Sequence, residues 1–181
     1  MTLTVREARA DEYEEVARLT VEAYEEYAAS LSEEGWEGYR SDLADVARRA
    51  ANGQVLVAQD GDRLIGAVAY YPPFSRSRDA DWWWWPDNYA YFRALAVLPA
   101  ARMQGVGRAL TLACVQRARE QGASGIALNT TSVMPVARAM YERLGFRQLL
   151  EGKPESRSIV GLMFYVLDLN EGGARAKQGA P

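Results

Sequence analysis

The sequence predicts an α/β domain, a mixed sheet covered by helices, in the order β-αα-ββ-β-α-β-α-ββ. Three observations carry this. Strand-like runs and helical periodicities alternate along the chain. Two β-prone runs, 54–59 and Arg63–Tyr71, are joined by Asp60-Gly61-Asp62, a hairpin signal. A third run, 91–97, passes through a glycine-rich turn into an amphipathic helix.

In chain order, residues 3–6 alternate and read as a short first strand. Asp11 with Glu14 forms a capping-box-like start. The helix after it carries Tyr13, Val16, Ala17, Thr20, Ala23, Tyr24 and Tyr27 on one stripe. A second helix is expected over 36–50, ended by Asn52-Gly53. The hairpin follows, and Pro72-Pro73 breaks the sheet before an irregular loop over 74–88 with the tryptophans Trp82, Trp83, Trp84 and Trp85. Pro99 stops the central strand because proline donates no N–H to a ladder. The next helix, to about Gln121, places Val106, Ala109, Leu110, Ala113, Cys114 and Ala118 on one face. A buried strand over 125–129, a helix opened by Pro135 and ended at Gly145, and strands over 146–150 and 158–169 complete the domain, 1–169. The tail, 170–181, has no aliphatic residue larger than alanine and is expected to be disordered.

Composition excludes several classes. A net charge of −3 with no basic block argues against nucleic acid as the main partner. No apolar run approaches the roughly eighteen residues of a membrane helix, and the amino terminus has no signal-peptide core, so no membrane partner is expected and the location is read as cytoplasmic. There is no histidine, which rules out a Ser-His-Asp or Cys-His mechanism and any histidine-ligated metal. The one cysteine, Cys114, lies on an apolar helix face and reads as a core residue, not a nucleophile.

The turn after the central strand suits an anion. A helix start leaves backbone N–H groups without internal partners and carries partial positive charge. Gly105 and Gly107 have no side chains to hold a phosphate away, and Arg102 and Arg108 bring charge to neutralise one. A phosphate-binding lysine loop is excluded because no Gly-Lys-Ser/Thr follows. A dinucleotide fold lacks both its third glycine, where Ala109 does not serve, and its acidic residue at the end of the next strand. An ordinary glycine turn remains the plain alternative.

Arg102-x-x-Gly105-x-Gly107, preceded by Leu95-Ala96-Val97-x-Pro99, resembles the pyrophosphate motif of the GNAT superfamily of acyl-CoA N-acyltransferases. Ala137-x-x-x-Tyr141-x-x-x-Gly145-Phe146 resembles its second motif, and the element order matches over about Leu3 to Leu169. The resemblance implies an N-acetyltransferase that uses acetyl-CoA as donor, an amine acceptor (a small molecule, a peptide N-terminus or a lysine) and no metal. It further implies that the central strand and the next one splay apart to admit the pantetheine arm. By the same resemblance the Leu95 N–H polarises the thioester carbonyl and Val97 binds the pantetheine. The N–H groups from Gln104 to Arg108 wrap the pyrophosphate, and Tyr141 protonates the departing thiolate. The donor side is thus expected to draw on Leu95, Ala96, Val97, Arg102, Met103, Gln104, Gly105, Val106, Gly107, Arg108, Asn129, Met134, Ala137 and Tyr141. The acceptor side draws on Tyr24, Tyr27, Trp84, Trp85 and Tyr91. A phenol of pKa ~10 is a competent donor to a thiolate whose conjugate acid lies near ~8.5. The alternative for Tyr141 is an aromatic that packs on the sheet with its hydroxyl tethered.

Two positions depart from the family pattern. Tyr91 stands where many members carry a glutamate, and Met134 where asparagine often contacts the cofactor. The general base is therefore open: Glu25 or Glu26, Asp87, Tyr91 through water, or none. An alkylamine of pKa about 10.4 is only ~0.04% neutral at pH 7, a cost of about 4.6 kcal/mol. The tryptophan run is either an acceptor wall offering cation–π contacts or a seal for the core or a homodimer interface. The missing glutamate also leaves a non-catalytic acyl-CoA sensor, or a partner-binding module on the same fold, as the rival reading.

Overall fold

Seven strands form one sheet in the order β1-β2-β3-β4-β5-β7-β6. They are β1 (Leu3–Glu7), β2 (Gln54–Asp60), β3 (Arg63–Tyr71), β4 (Tyr89–Val97), β5 (Gly125–Thr131), β6 (Arg147–Leu149) and β7 (Leu162–Asp168). The computed structural model describes residues 2–75, 86–149 and 161–170. Trp82 to Trp85, the segment 150–160 and the tail beyond Asn170 lie outside these. Only β4 and β5 run parallel; every other neighbouring pair is antiparallel. A parallel pair needs a crossover, which is α4 (Val106–Glu120).

Helices cover both faces. Gly66, Tyr70 and Phe92 face α4 and α5 (Pro135–Arg143): the Tyr70 hydroxyl donates to Gln121 Oε1 at 2.7 Å, and Phe92 packs edge-on against Tyr141. The alternate residues Ala67 and Ala69 face α1 (Tyr13–Tyr24) and α3 (Val46–Asn52). The core is continuous around Val16, Leu19, Leu56, Val57, Val106, Leu110, Cys114 and Ile126, all buried. Cys114 is fully buried, and burial pushes its thiol up, as a core residue requires. A Cβ on Gly66 would lie 3.0 Å from Val106 Cγ1 and 2.9 Å from the Ala96 carbonyl oxygen, so this glycine lets α4 settle onto the sheet.

The helical amino-terminal half differs from expectation in three places. The helix over 36–50 is two helices, α2 (Glu33–Ala44) and α3, broken at Asp45. The Asp45 carboxylate accepts from the Arg48 N–H at 3.1 Å and so starts a new helix where periodicity alone continues the old one. The stripe through Tyr27 spans α1 and a 3-10 segment, Glu25–Ser30. The first helix is not started by Asp11 and Glu14. Glu12 reaches back to the Arg9 N–H at 2.8 Å and takes both Arg6 nitrogens, Nη1 at 2.8 Å and Nη2 at 2.6 Å.

That buried carboxylate sets an acid limit. Hydrogen bonding from Arg6 lowers Glu12 from 4.5 to about 2, against the opposing effect of burial. A depressed folded pKa contributes stability that is whole above pH 4.5 and lost as pH falls through about 2. Allowing for solvent screening, this amounts to roughly 1–3 kcal/mol. Urea unfolding from pH 6 to 2 is expected to show that loss in the wild type and a flatter profile in Glu12→Gln. Parallel profiles would assign the acid sensitivity elsewhere. Among the described residues no helix is long and apolar enough to cross a membrane.

Candidate active site

The pairing of β4 with β5 covers only Tyr89 to Phe92 on β4 and Gly125 to Leu128 on β5. Beyond that point β5 stays paired with β7 while β4 leaves it, and a fork opens. The cause lies on the other edge of β4. Ala67 faces Ala96 and Ala69 faces Arg93, so Ala94 and Leu95 together stand opposite Val68 alone. The extra residue is a β-bulge, with Ala94 in the left-handed region at φ 51. A non-glycine residue there costs about 1–2 kcal/mol.

At the end of β4 the chain makes a 3-10 turn, Pro99–Ala101, and then alternates: Met103 has φ 59 and Gly105 φ 82. Alternation of this kind turns successive N–H groups into one concavity. Among the described residues no backbone or side-chain acceptor takes the N–H groups from Met103 to Arg108; the first bond of the helix is from the Ala109 N–H to the Gly105 oxygen at 2.9 Å. Gly107 faces Met140 Sδ and Val97 Cγ2, so this concavity adjoins the end of β4 and α5.

Tyr141 lies at the fork. Its ring packs against Phe92, the last paired residue of β4, at 5.9 Å, and against Phe146 and Tyr165 at 5.8 and 6.5 Å. It is buried, and burial pushes its phenol up. Among the described residues no hydrogen bond tethers its hydroxyl, unlike that of Tyr165, which donates to Glu142 Oε1 at 2.8 Å.

On the opposite face of the sheet Tyr24, Tyr27 and Tyr39 form edge-on contacts at 5.9 and 5.8 Å. Burial raises both Tyr27 and Tyr39 to about 12. The Tyr24 hydroxyl donates to the Leu95 oxygen at 3.1 Å. Tyr91 also lies on this face, stacked on Tyr71 at 5.5 Å, with its hydroxyl donating to Asn129 Oδ1 at 3.1 Å. Burial pushes Tyr91 up, which makes it a poor base. Asn129 therefore sits on the acceptor face with Tyr91, away from α4. Met134 caps α5 and accepts from Thr130 Oγ1 at 3.6 Å through its sulfur, and Ala137 follows on the first turn. Trp84 and Trp85 fall outside the described residues.

Besides Asn129, a second residue expected on the donor side is placed differently. The Arg102 guanidinium does not face the concavity. It pairs with Glu26 Oε1 at 2.7 Å and donates to the oxygens of Ala23 and Val97 at 3.0 and 3.3 Å. Its own N–H is held by the Pro99 oxygen at 3.3 Å. Arg102 thus ties the glycine turn to the end of α1, and Glu26 is paired rather than poised as a base.

Sequence reading missed Arg93 and Asp42. Arg93, beside the bulge, bonds Asp42 Oδ2 at 2.6 Å, and Asp42 also holds Arg48 Nη2 at 2.5 Å and Arg49 Nη2 at 3.3 Å. Burial works to raise the Asp42 carboxyl, but the three guanidiniums outweigh it and hold it low. The available signal was an arginine in an otherwise apolar strand, which demands a buried partner.

Residues 6–146 match the family model described as Acetyltransferase (GNAT) family. The chain is 30% identical over 129 residues to N-acetyltransferase 8F1 of Rattus norvegicus, covering 65% of this chain and 53% of that protein. It is 34% identical over 91 residues to N-alpha-acetyltransferase 30 of Schizosaccharomyces pombe, covering 50% of this chain and 55% of that one. It thus spans about half the length of these curated relatives. The fold is similar to that of the PaiA N-acetyltransferase of Thermoplasma acidophilum in complex with coenzyme A, with a TM-score of 0.70 and 17% identity over 93% of this chain and 99% of that one. Fork, concavity and motif match together place the chain: it belongs to the GNAT family of acetyltransferases.

Proposed function

We propose that this chain is an N-acetyltransferase that moves the acetyl group of acetyl-CoA directly to a primary amine, with Tyr141 as general acid. The observation that carries this is the fork itself: an opened β4–β5 pair, a run of unpartnered N–H groups at its mouth and an untethered buried phenol at its apex. The coenzyme A complex of the PaiA enzyme and the names of the curated relatives support the donor and the amine.

In this reading the pyrophosphate lies on the N–H groups of residues 103–108 and the pantetheine runs along Val97. The thioester carbonyl accepts from the Leu95 N–H. The amine enters from the face of Tyr24, Tyr27 and Tyr91 and attacks as the free base. The N–C bond forms as the C–S bond breaks; Tyr141 gives its proton to the sulfur, the N-protonated amide loses its extra proton to solvent, and solvent returns a proton to the Tyr141 phenolate. Of the three carboxylates considered as a base, Glu26 is paired, and Glu25 and Asp87 are exposed. Activity therefore follows the neutral fraction of the acceptor.

Thiol release from acetyl-CoA with a panel of small amines, amino acids and peptides, and mass analysis of the products, tests the assignment. Acetylated amine formed in step with thiol is expected. Tight acetyl-CoA binding with no turnover across the panel would instead make the chain a sensor.

A further inference from the structure

From the bulge onward β4 has lost β5 as a neighbour, yet two of its carbonyls on that side are occupied. The Leu98 N–H donates to the Ile65 oxygen on β3, so Val97 and Leu95 direct their main-chain groups away from β3, into the fork. The Tyr24 hydroxyl takes the Leu95 oxygen at 3.1 Å, and Arg102 Nε takes the Val97 oxygen at 3.3 Å. Both donors belong to one place. Tyr24 is the last residue of α1, and Arg102 is fastened there through the Ala23 oxygen and Glu26.

We infer that the C-terminal turn of α1 is a clamp that stands in for β5, with Tyr24 as the positioning residue that aims the Leu95 N–H. The inference rests on the reading that the thioester lies in the fork. In an extended residue the N–H and C=O point to the same side, so fixing the Leu95 oxygen fixes the direction of its N–H. The clamp is stiff, because the Tyr24 ring is 7% exposed and wedged between Tyr27 and Tyr39. It is needed, because Ala94 beside it holds a disfavoured φ of 51 that the backbone would otherwise relax. A donor aimed at developing negative charge matters more in the transition state than in the ground state. The clamp therefore acts on turnover more than on donor affinity. It also makes the acceptor-side aromatics part of the mechanism that sets thioester polarisation.

Tyr24→Phe removes the hydroxyl and keeps the ring. Three readouts apply to wild type and variant: calorimetric acetyl-CoA affinity, kcat, and the infrared band of carbonyl-labelled acetyl-CoA when bound. Affinity is expected to stay within about twofold while kcat falls about tenfold, the size of one well-made hydrogen bond. The bound carbonyl band, lowered in the wild type by the Leu95 N–H, is expected to move back toward that of free acetyl-CoA. Glu26→Gln, at an exposed position, loosens the Arg102 half and is expected to move the band the same way by less. Bands and kcat equal to wild type in folded variants would overturn the clamp and leave the thioester site standing. A wild type that does not bind acetyl-CoA would remove both.

Discussion

Tyr141→Phe is expected to lower kcat about 100-fold with acetyl-CoA affinity nearly unchanged. General-acid assistance is typically worth 10²–10⁴-fold, and the proton is needed only as sulfur leaves. The substitution removes one oxygen from a ring held by Phe92, Phe146 and Tyr165, so packing at 5.8–6.5 Å survives. Because the hydroxyl has no hydrogen-bond partner among the described residues, its loss strands no buried group. The pH profile gives a second check with a definite sign. Burial raises the Tyr141 phenol, so its donating form persists to higher pH than that of a free tyrosine. The wild-type rate is expected to climb as the amine deprotonates and to show no falling limb near the ordinary phenol value of about 10. Thiol release from pH 6 to 10.5 measures both effects, and equal kcat for the two proteins would remove the acid role.

Gly107→Glu is expected to weaken acetyl-CoA binding more than tenfold, at least about 1.4 kcal/mol, in a protein that stays folded. A Cβ on Gly107 meets Met140 Sδ at 3.5 Å and Val97 Cγ2 at 3.7 Å, ordinary contacts that require no backbone shift. Glutamate is the better helix former and its charge suits a helix start, so the melting temperature should hold or rise slightly. The same carboxylate is expected to repel a pyrophosphate lying over the open N–H groups. Calorimetry and a melting curve on one preparation separate binding from stability. Unchanged affinity would move the pyrophosphate elsewhere.

The α/β architecture and the glycine turn were legible because local signals and tertiary demands agree there. Arg63–Tyr71 is an apolar β-prone run after a hairpin turn, and the Pro99, Gly105 and Pro135 breaks coincide with real ends of elements. The break at Asp45 was not legible, since one side-chain bond to the Arg48 N–H decides between one helix and two. The role of Gly66 depends on Val106 and Leu110, far along the chain, which a strand pattern does not show. The motif brought Arg102 to the right turn but could not aim its guanidinium, which depends on Glu26 and Ala23 at the end of α1. The bulge at Ala94 has no sequence mark at all, because alanine is a poor left-handed residue and is held there by the sheet. Arg93 was passed over in a run read as apolar, and its partner Asp42 lies on α2.

The central claim is that acetyl-CoA occupies the β4–β5 fork with its pyrophosphate on the loop that opens α4. Residue-resolved amide hydrogen exchange, with and without saturating acetyl-CoA, tests it most directly. New protection is expected at the amides of residues 103–108 and at Leu95 and Val97, with little change along β1 and β2 at the far edge of the sheet. Unchanged exchange at 103–108 while acetyl-CoA is bound, or protection confined to another part of the protein, would contradict it.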